Sequence, residues 1–255
     1  MQTVALTPPS LVSPAFVWPA SGTQFLPVTG HVTDRLFVTY RAPARALAPL
    51  VPDPFELDTR EGCGFLSVCA VEIVRMGIAG TPRFLRFDNR EFLYRLAVRF
   101  GGESTFVTLR SDVSSPSLAL LGRYFSHYRP RRAAVRLFRE ASSVRMECLS
   151  RDGSGDAVLD VDTAAEAPAN GSVFGSAEEA TRFLLGMRFS ADSVRGRVRV
   201  QPIDHSPWSP HFVPARACRF AFVGELGQKL GTSFEYDGTL ATRDVDQHWR
   251  AARWL

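Results

Sequence analysis

Apolar and polar residues change places with a period of about two over much of this chain, the spacing of side chains that alternate across a strand. DRLFVTYR (34–41) is such a run, rich in aromatic and β-branched residues, and predicts a strand. APARALAPLVP (42–52) follows as a short helix, with Pro43 near its first turn and prolines closing it. GFLSVCAVEIV (64–74) is long and apolar enough for a buried strand, and EFLYRLAVRF (91–100) predicts another. Gly101 and Gly102 punctuate the chain before STFVTLRSDV (104–113), which makes a hairpin. From Pro116 to Phe125 the period lengthens, and apolar residues at 118, 120, 121 and 125 mark a helical face.

AAVRLFRE (133–140), SSVRMECLS (142–150) and VLDVDT (158–163) return to period two, and SRDGSGDAV (150–158) supplies a turn, so this region reads as a meander. Ser176 and Glu179 form a capping box ahead of a helix near 177–189. In VRGRVRVQPI (194–203) Arg195, Arg197 and Arg199 share one strand face, either a solvated surface or a seat for a carboxylate or phosphate. The chain shows no internal repeat, low-complexity tract or long linker. The expectation is one α+β domain over 1–255, mainly antiparallel β, whose strand count invites closure into a barrel or cone. Residues 1–30 would form an N-terminal arm and 216–255 a C-terminal extension.

Composition narrows the function classes. The 255 residues are 45% hydrophobic and carry a net charge of +4, enough to bury a core and far from a disordered composition. Lys229 is the only lysine among 30 basic residues, a skew that points to coding bias more than to a binding device. Acids lie between the arginines, without the clustered charge of a nucleic-acid surface. The N-terminal stretch lacks a basic region and is broken by prolines, unlike a signal peptide, and no apolar run is long enough to span a membrane. Cys63, Cys69, Cys148 and Cys218 are scattered, as small buried hydrophobes in a reducing compartment would be, so the expected location is the cytoplasm.

Phosphate loops and a serine-hydrolase elbow are absent. DHSPWSPH (204–211) brings two histidines and Asp204 together, but at a spacing that fits no metal-binding helix; it reads as a Pro-rich corner with Trp208 packed inward, and no metal or other cofactor is expected. EFLYRLAVR is richer in chemistry. On a regular strand Glu91, Leu93, Arg95 and Ala97 share one face, with Tyr94 on the other. If that face is outside, its charges are solvated. If it lines a closed sheet, an acid and a base there are costly unless paired or used. Glu91 and Arg95 stand about 13 Å apart along the strand, suited to opposite ends of one bound molecule.

Taken together, LVSPAF (11–16), HVTDRLFVTYRAPARALAPLVPDPFELD (31–58), the Glu-x-x-x-Arg strand and HSPWSPHFVPA (205–215) resemble the acetoacetate decarboxylase superfamily, in an uncharacterised branch. The resemblance implies a mainly antiparallel β cone or double barrel with a few short helices, enclosing an apolar pocket and often assembled into oligomers. Decarboxylases of this superfamily attack a ketone with a lysine after Tyr-Pro, forming a Schiff base. The matching stretch here is SSPSLAL (114–120), and the family lysine and its neighbour fall on Ser117 and Leu118. The family's interior glutamate falls near Leu66 and its early arginine near Thr33, whose strand face Arg35 is expected to share.

The resulting expectation is a lyase-, cyclase- or isomerase-like enzyme that works on a carbonyl or keto-acid substrate without a Schiff base. Glu91 would be the general acid or base, its pKa raised by the apolar surroundings, and Arg95 and Arg35 would hold a carboxylate or enolate. Asp112 and Ser117 either contact substrate polar groups or serve the turn and helix entry. The expected partner is a small molecule, with no nucleic acid or membrane, and a homo-oligomer is compatible with the reading. Two alternatives stand: a non-catalytic binder of small ligands, and a decarboxylase that uses Lys229, expected in a loop.

Overall fold

The computed structural model describes residues 26–125, 130–166, 172–184, 189–194 and 197–255; LVSPAF (11–16) and Arg195 lie outside them. Strand β1 (Val28–Pro43) runs into helix α1 (Ala44–Leu47) and a single 3-10 turn, Ala48–Leu50. The short strands β2 (Glu56–Leu57) and β3 (Thr59–Arg60) precede β4 (Cys63–Ile78). A 3-10 turn, Arg83–Leu85, leads to β5 (Phe87–Phe100) and β6 (Glu103–Val113). The β5–β6 hairpin turns through Gly101 and Gly102, whose φ of 59° and 86° favour a residue without a Cβ.

Helix α2 (Pro116–Phe125) is followed by the meander β7 (Arg131–Arg139), β8 (Ser143–Ser150) and β9 (Ala157–Asp162). Helix α3 (Ala177–Leu184) begins at its capping box: Ser176 Oγ accepts from Glu179 N–H at 3.1 Å, while the Glu179 carboxylate accepts from Gly175 N–H at 2.8 Å. Next come β10 (Phe189–Val194), β11 (Arg197–His205), β12 (His211–Phe212), β13 (Ala215–Phe220), α4 (Ala221–Leu230), β14 (Glu235–Trp249) and β15 (Arg253–Trp254). Lys229 therefore sits in the last turn of a helix, not in a loop as expected.

One curled sheet holds all the strands of the described residues, in the order β10-β11-β14-β1-β4-β5-β6-β7-β8-β9-β13, with β12 paired to β14, β15 to β11, β2 to β5 and β3 to β4. Neighbours are antiparallel except β6 and β7, which pair in parallel at Asp112 and Arg131. The sheet curls far enough for Thr105 on β6 to donate 2.8 Å to the Phe189 carbonyl on β10. The fold is thus α+β and mostly antiparallel, a half-barrel with a few short helices, in line with the α+β cone expected.

The central strands are covered on both sides, which is why GFLSVCAVEIV reads as a continuous apolar run. One face of β1, β4 and β5 carries Leu36, Val68, Phe92 and Tyr94, and packs on Val144, Met146 and Leu159 of the meander and on Phe220 and Val223. We call this the outer core. Arg139 on β7 ties the layers at its rim, donating 2.7 Å to Asp34 and pairing with Glu72. The opposite, inner face carries Phe37, Cys69, Val71, Leu93 and Ala97, capped by Phe174, Leu184 of α3, Trp208 and Phe212.

Strand β1 does not alternate cleanly. A register shift between Val32 and Asp34 inserts Thr33 as an extra residue. Thr33 Oγ1 bonds outward to Glu72 at 2.6 Å, while Arg35 turns inward. The expectation that Thr33 and Arg35 share a face is corrected by this bulge.

Candidate functional site

The inner face carries one group of the chain's buried polar side chains. Across it the ladder sets Arg35 of β1 beside Val71 of β4, which in turn pairs with Glu91 of β5; four residues along, Ser67 of β4 pairs with Arg95. Glu91 is 2% exposed. Ser111 Oγ donates to its Oε1 at 2.6 Å from β6, and Asn89 Nδ2 donates to its Oε2 at 3.3 Å. These donors fix the direction in which the carboxylate presents its remaining lone pairs.

Arg35 is 7% exposed and sits between two rings, its guanidinium carbon 5.9 Å from the centroid of Phe37 and 5.5 Å from that of Trp208. Its Nη2 donates to Gln247 Oε1, whereas its buried Nε has no hydrogen-bond partner. Burial pushes the guanidinium pKa down to about 10, Cys69 draws it back up, and the charge of Arg95 lowers it further. Arg95 is half-buried and, among the described residues, has no ion-pair or hydrogen-bond partner. The Cys69 thiol is held up by burial, with Arg95 and Arg35 pulling it back down and Glu91 raising it, and all four groups lie on this one face. Ser67 Oγ, on the same face, is also buried without a partner.

Glu91, Arg95 and Arg35 are thus brought together; Asp112 and Ser117 are not. Asp112 is fully buried on the other face of β6, bonded to Arg110 through both carboxylate oxygens, with Oδ1 3.0 Å from Nη2. Ser154 accepts from the same guanidinium at 2.9 Å, and Phe222 lies under it. Ser117 is exposed in the first turn of α2, while Ser115 Oγ caps that turn by accepting from Leu118 N–H at 3.2 Å. Tyr94 is in the outer core, and its buried hydroxyl has no partner. Lys229 is exposed on α4, whose Val223 and Leu226 also pack in that core.

The residues around Glu91 and Arg35 that sequence reasoning missed are Ser111, Asn89, Ser67, Cys69 and Gln247. The Pro-rich corner behaves as expected in one respect: Trp208 is half-buried and packs on Arg35 and His205. Among the described residues no group of three or more His, Cys, Asp or Glu is placed to hold a metal ion, and no helix is long and apolar enough to cross a membrane.

A family model described as an uncharacterized conserved protein, DUF2071, matches residues 29–237. No curated protein matches the chain. Among solved structures, an acetoacetate decarboxylase from Legionella pneumophila superposes with a TM-score of 0.64 at 15% identity, over 95% of this chain and 92% of that one. The enduracididine biosynthesis enzyme MppR, complexed with pyruvate, gives 0.59 at 12% identity over 92% of each chain. An acetoacetate decarboxylase-like enzyme from Sphingomonas wittichii RW1 gives 0.60 at 14% identity, over 100% of this chain and 98% of that one. At these identities the likeness is one of fold: the curled sheet is that of the acetoacetate decarboxylase-like proteins.

Proposed function

Taking as premise that the chain belongs to the DUF2071 family and has the acetoacetate decarboxylase-like fold, we propose that it is an enzyme acting on a small keto acid or related carbonyl compound by acid–base chemistry. The carrying observation is the charge on the inner face. Two guanidiniums and one carboxylate share one face of the sheet with apolar side chains, and Arg35 Nε and Ser67 Oγ lack partners. A carboxylate-bearing ligand supplies the missing negative charge and acceptors.

In this reading the substrate carboxylate lies against Arg35, and Glu91 faces the carbon next to the carbonyl. Glu91 takes a proton from that carbon; the C–H electron pair passes into the carbonyl, and Arg95 stabilises the oxygen that becomes negative. The proton on Glu91 then passes to the enolate oxygen, giving enolisation, returns to carbon, giving exchange or isomerisation, or goes to a leaving hydroxyl, giving dehydration. Ring closure on the enolate is the same first step with a different electrophile. No amine enters. By the sequence resemblance Ser117 falls at the position of the decarboxylases' lysine, and Lys229 is exposed on a helix that packs in the outer core.

The test is hydrogen exchange. Pyruvate, chosen because a structural relative is complexed with it, is incubated in D₂O with the protein, and loss of its methyl proton signal is followed by NMR; a panel of longer 2- and 3-keto acids follows. Exchange catalysed by the wild type and abolished in Glu91→Gln, with ligand-induced thermal stabilisation kept, supports the assignment. Binding without exchange by any compound would instead make this a ligand-binding protein. A borohydride-trapped adduct at Lys229 would replace the mechanism altogether.

A further inference from the structure

A second concave site lies where β1 begins, β11 and β14 end, and the β4–β5 connection folds over. It has a volume of about 620 Å³, within the range of small-molecule pockets. Arginines dominate it: Arg75, Arg83 and Arg86 line it together with histidines from β1, β11 and β14. Its two acids are already engaged. Asp246 accepts from or shares a proton with His31 Nδ1 at 2.8 Å, and Asp204 accepts from Arg250 at 2.5 Å. Arg83, by contrast, has no acid partner among the described residues.

Three residues lining this groove also hold a buried polar atom without a partner: Thr29 Oγ1, Arg86 Nε and His248 Nε2. Each can donate a hydrogen bond, and an unmade bond at a buried polar atom costs about 1–3 kcal/mol. Their gathering around a cavity with spare positive charge marks a place where something anionic belongs. Two guanidiniums, a hydroxyl and an imidazole offer more donors than the two oxygens of a carboxylate use, whereas a phosphate presents three terminal oxygens.

We propose that this groove binds a small molecule through its phosphate group. The site is separate from the inner face that carries Glu91 and does not depend on the reaction assigned there. One side chain is common to both: Gln247 lines the groove while its Oε1 accepts from Arg35.

The experiment is calorimetric titration of the full chain with inorganic phosphate and with glycerol 3-phosphate at constant ionic strength. Saturable one-to-one binding is expected, weakened at least tenfold in Arg83→Gln and further in Arg83→Gln with Arg86→Gln. It should persist in Glu91→Gln and in Arg197→Gln, an exposed arginine elsewhere. Arg83 is itself exposed, so its single variant leaves the fold intact. Tighter binding of the ester identifies an organic phosphate as the ligand; equal binding identifies inorganic phosphate. Absence of saturable binding overturns the proposal, as does binding unchanged in the double variant. Sedimentation adds a third decisive outcome: Phe84 is 83% exposed beside Arg83, and an oligomer that dissociates on Arg83→Gln would make this face a subunit interface instead.

Discussion

Ser111 Oγ lies 2.6 Å from Glu91 Oε1, reaching it across the β5–β6 ladder on the buried side of the sheet. The contact fixes a carboxylate that has apolar neighbours on the same face, Leu93 and Val71. A hydrogen bond to a charged group is worth about 1.5–3 kcal/mol, so its loss should be felt wherever the orientation of Glu91 matters.

Ser111→Ala is therefore expected to slow keto-acid proton exchange about tenfold, as loss of one such bond implies. KM should stay near that of the wild type, because Ser111 orients the base and leaves the arginines untouched. Ser111→Thr, which keeps the hydroxyl, should recover most of the rate in the same NMR assay.

Arg35 poses a trade-off between stability and binding. Its pKa of about 10 lies below the unfolded value, so the folded chain holds this proton more weakly than the unfolded one. The charged guanidinium thus costs stability at every pH below about 10, and the cost is relieved only as pH rises from there toward the unfolded value. Arg35→Gln should raise the stability of the ligand-free protein at pH 7 by about 1–3 kcal/mol. It should also abolish stabilisation by a keto acid. Thermal melts with and without ligand measure both effects.

Gly155 roofs the buried Arg110–Asp112 pair. A Cβ there would clash with Arg110 Nη2 and stand 2.7 Å from Asp112 Oδ2. Gly155→Ala must push the pair apart, and urea denaturation should show a loss of about 3 kcal/mol, the scale of breaking a buried ion pair. Asp112→Asn should cost a similar amount, and the double variant less than the sum, because both act on one contact.

Asp192 gives a pH signature. Burial pushes its carboxyl up to about 6, against the opposing pull of the Ser193 N–H and Arg199. The folded state then binds a proton that the unfolded chain releases near pH 4, so the stabilisation is complete below about pH 4 and is lost as pH rises through 6. Because this side chain is only partly buried, solvent screening reduces the effect to about 1 kcal/mol. Asp192→Asn should be more stable than wild type by that amount at pH 7 and equal to it at pH 4, by urea denaturation at both pH values.

Most strands were legible because their side chains obey a strict period, and the face carrying Glu91 and Arg95 followed from it. The exceptions are single-residue insertions. Counting back from the Gly101–Gly102 turn pairs Phe100 with Glu103 and Arg95 with Thr108, and the same register would place Asp112 opposite Glu91. A shift between Tyr94 and Arg95 moves the partner to Val113 and turns Ser111 inward and Asp112 outward. That one step is why no strict alternation along β6 reveals Ser111 as the residue that meets Glu91.

The last forty residues were hard to read for a different reason. EYDGTLATRDVDQHW carries few apolar residues, and it buries polar ones, Asp237, Thr239, Thr242 and Gln247. No hydrophobic alternation announces it, yet β14 pairs with β1 over nearly its whole length and supplies the acceptor for Arg35. Its polar side chains are satisfied by partners distant in sequence: Asp237 accepts from Ser172 at 2.9 Å and from Val173 N–H at 3.1 Å.

The extra residue in β6 has a consequence for how such a protein can diversify. Loss of the Leu109 codon would straighten the strand yet keep Arg110 opposite Tyr94 and Val113 opposite Glu91, since the pairs on either side already differ by that one residue. A lineage can thus shorten the chain here by one residue and leave the hydroxyl beside Glu91 in place.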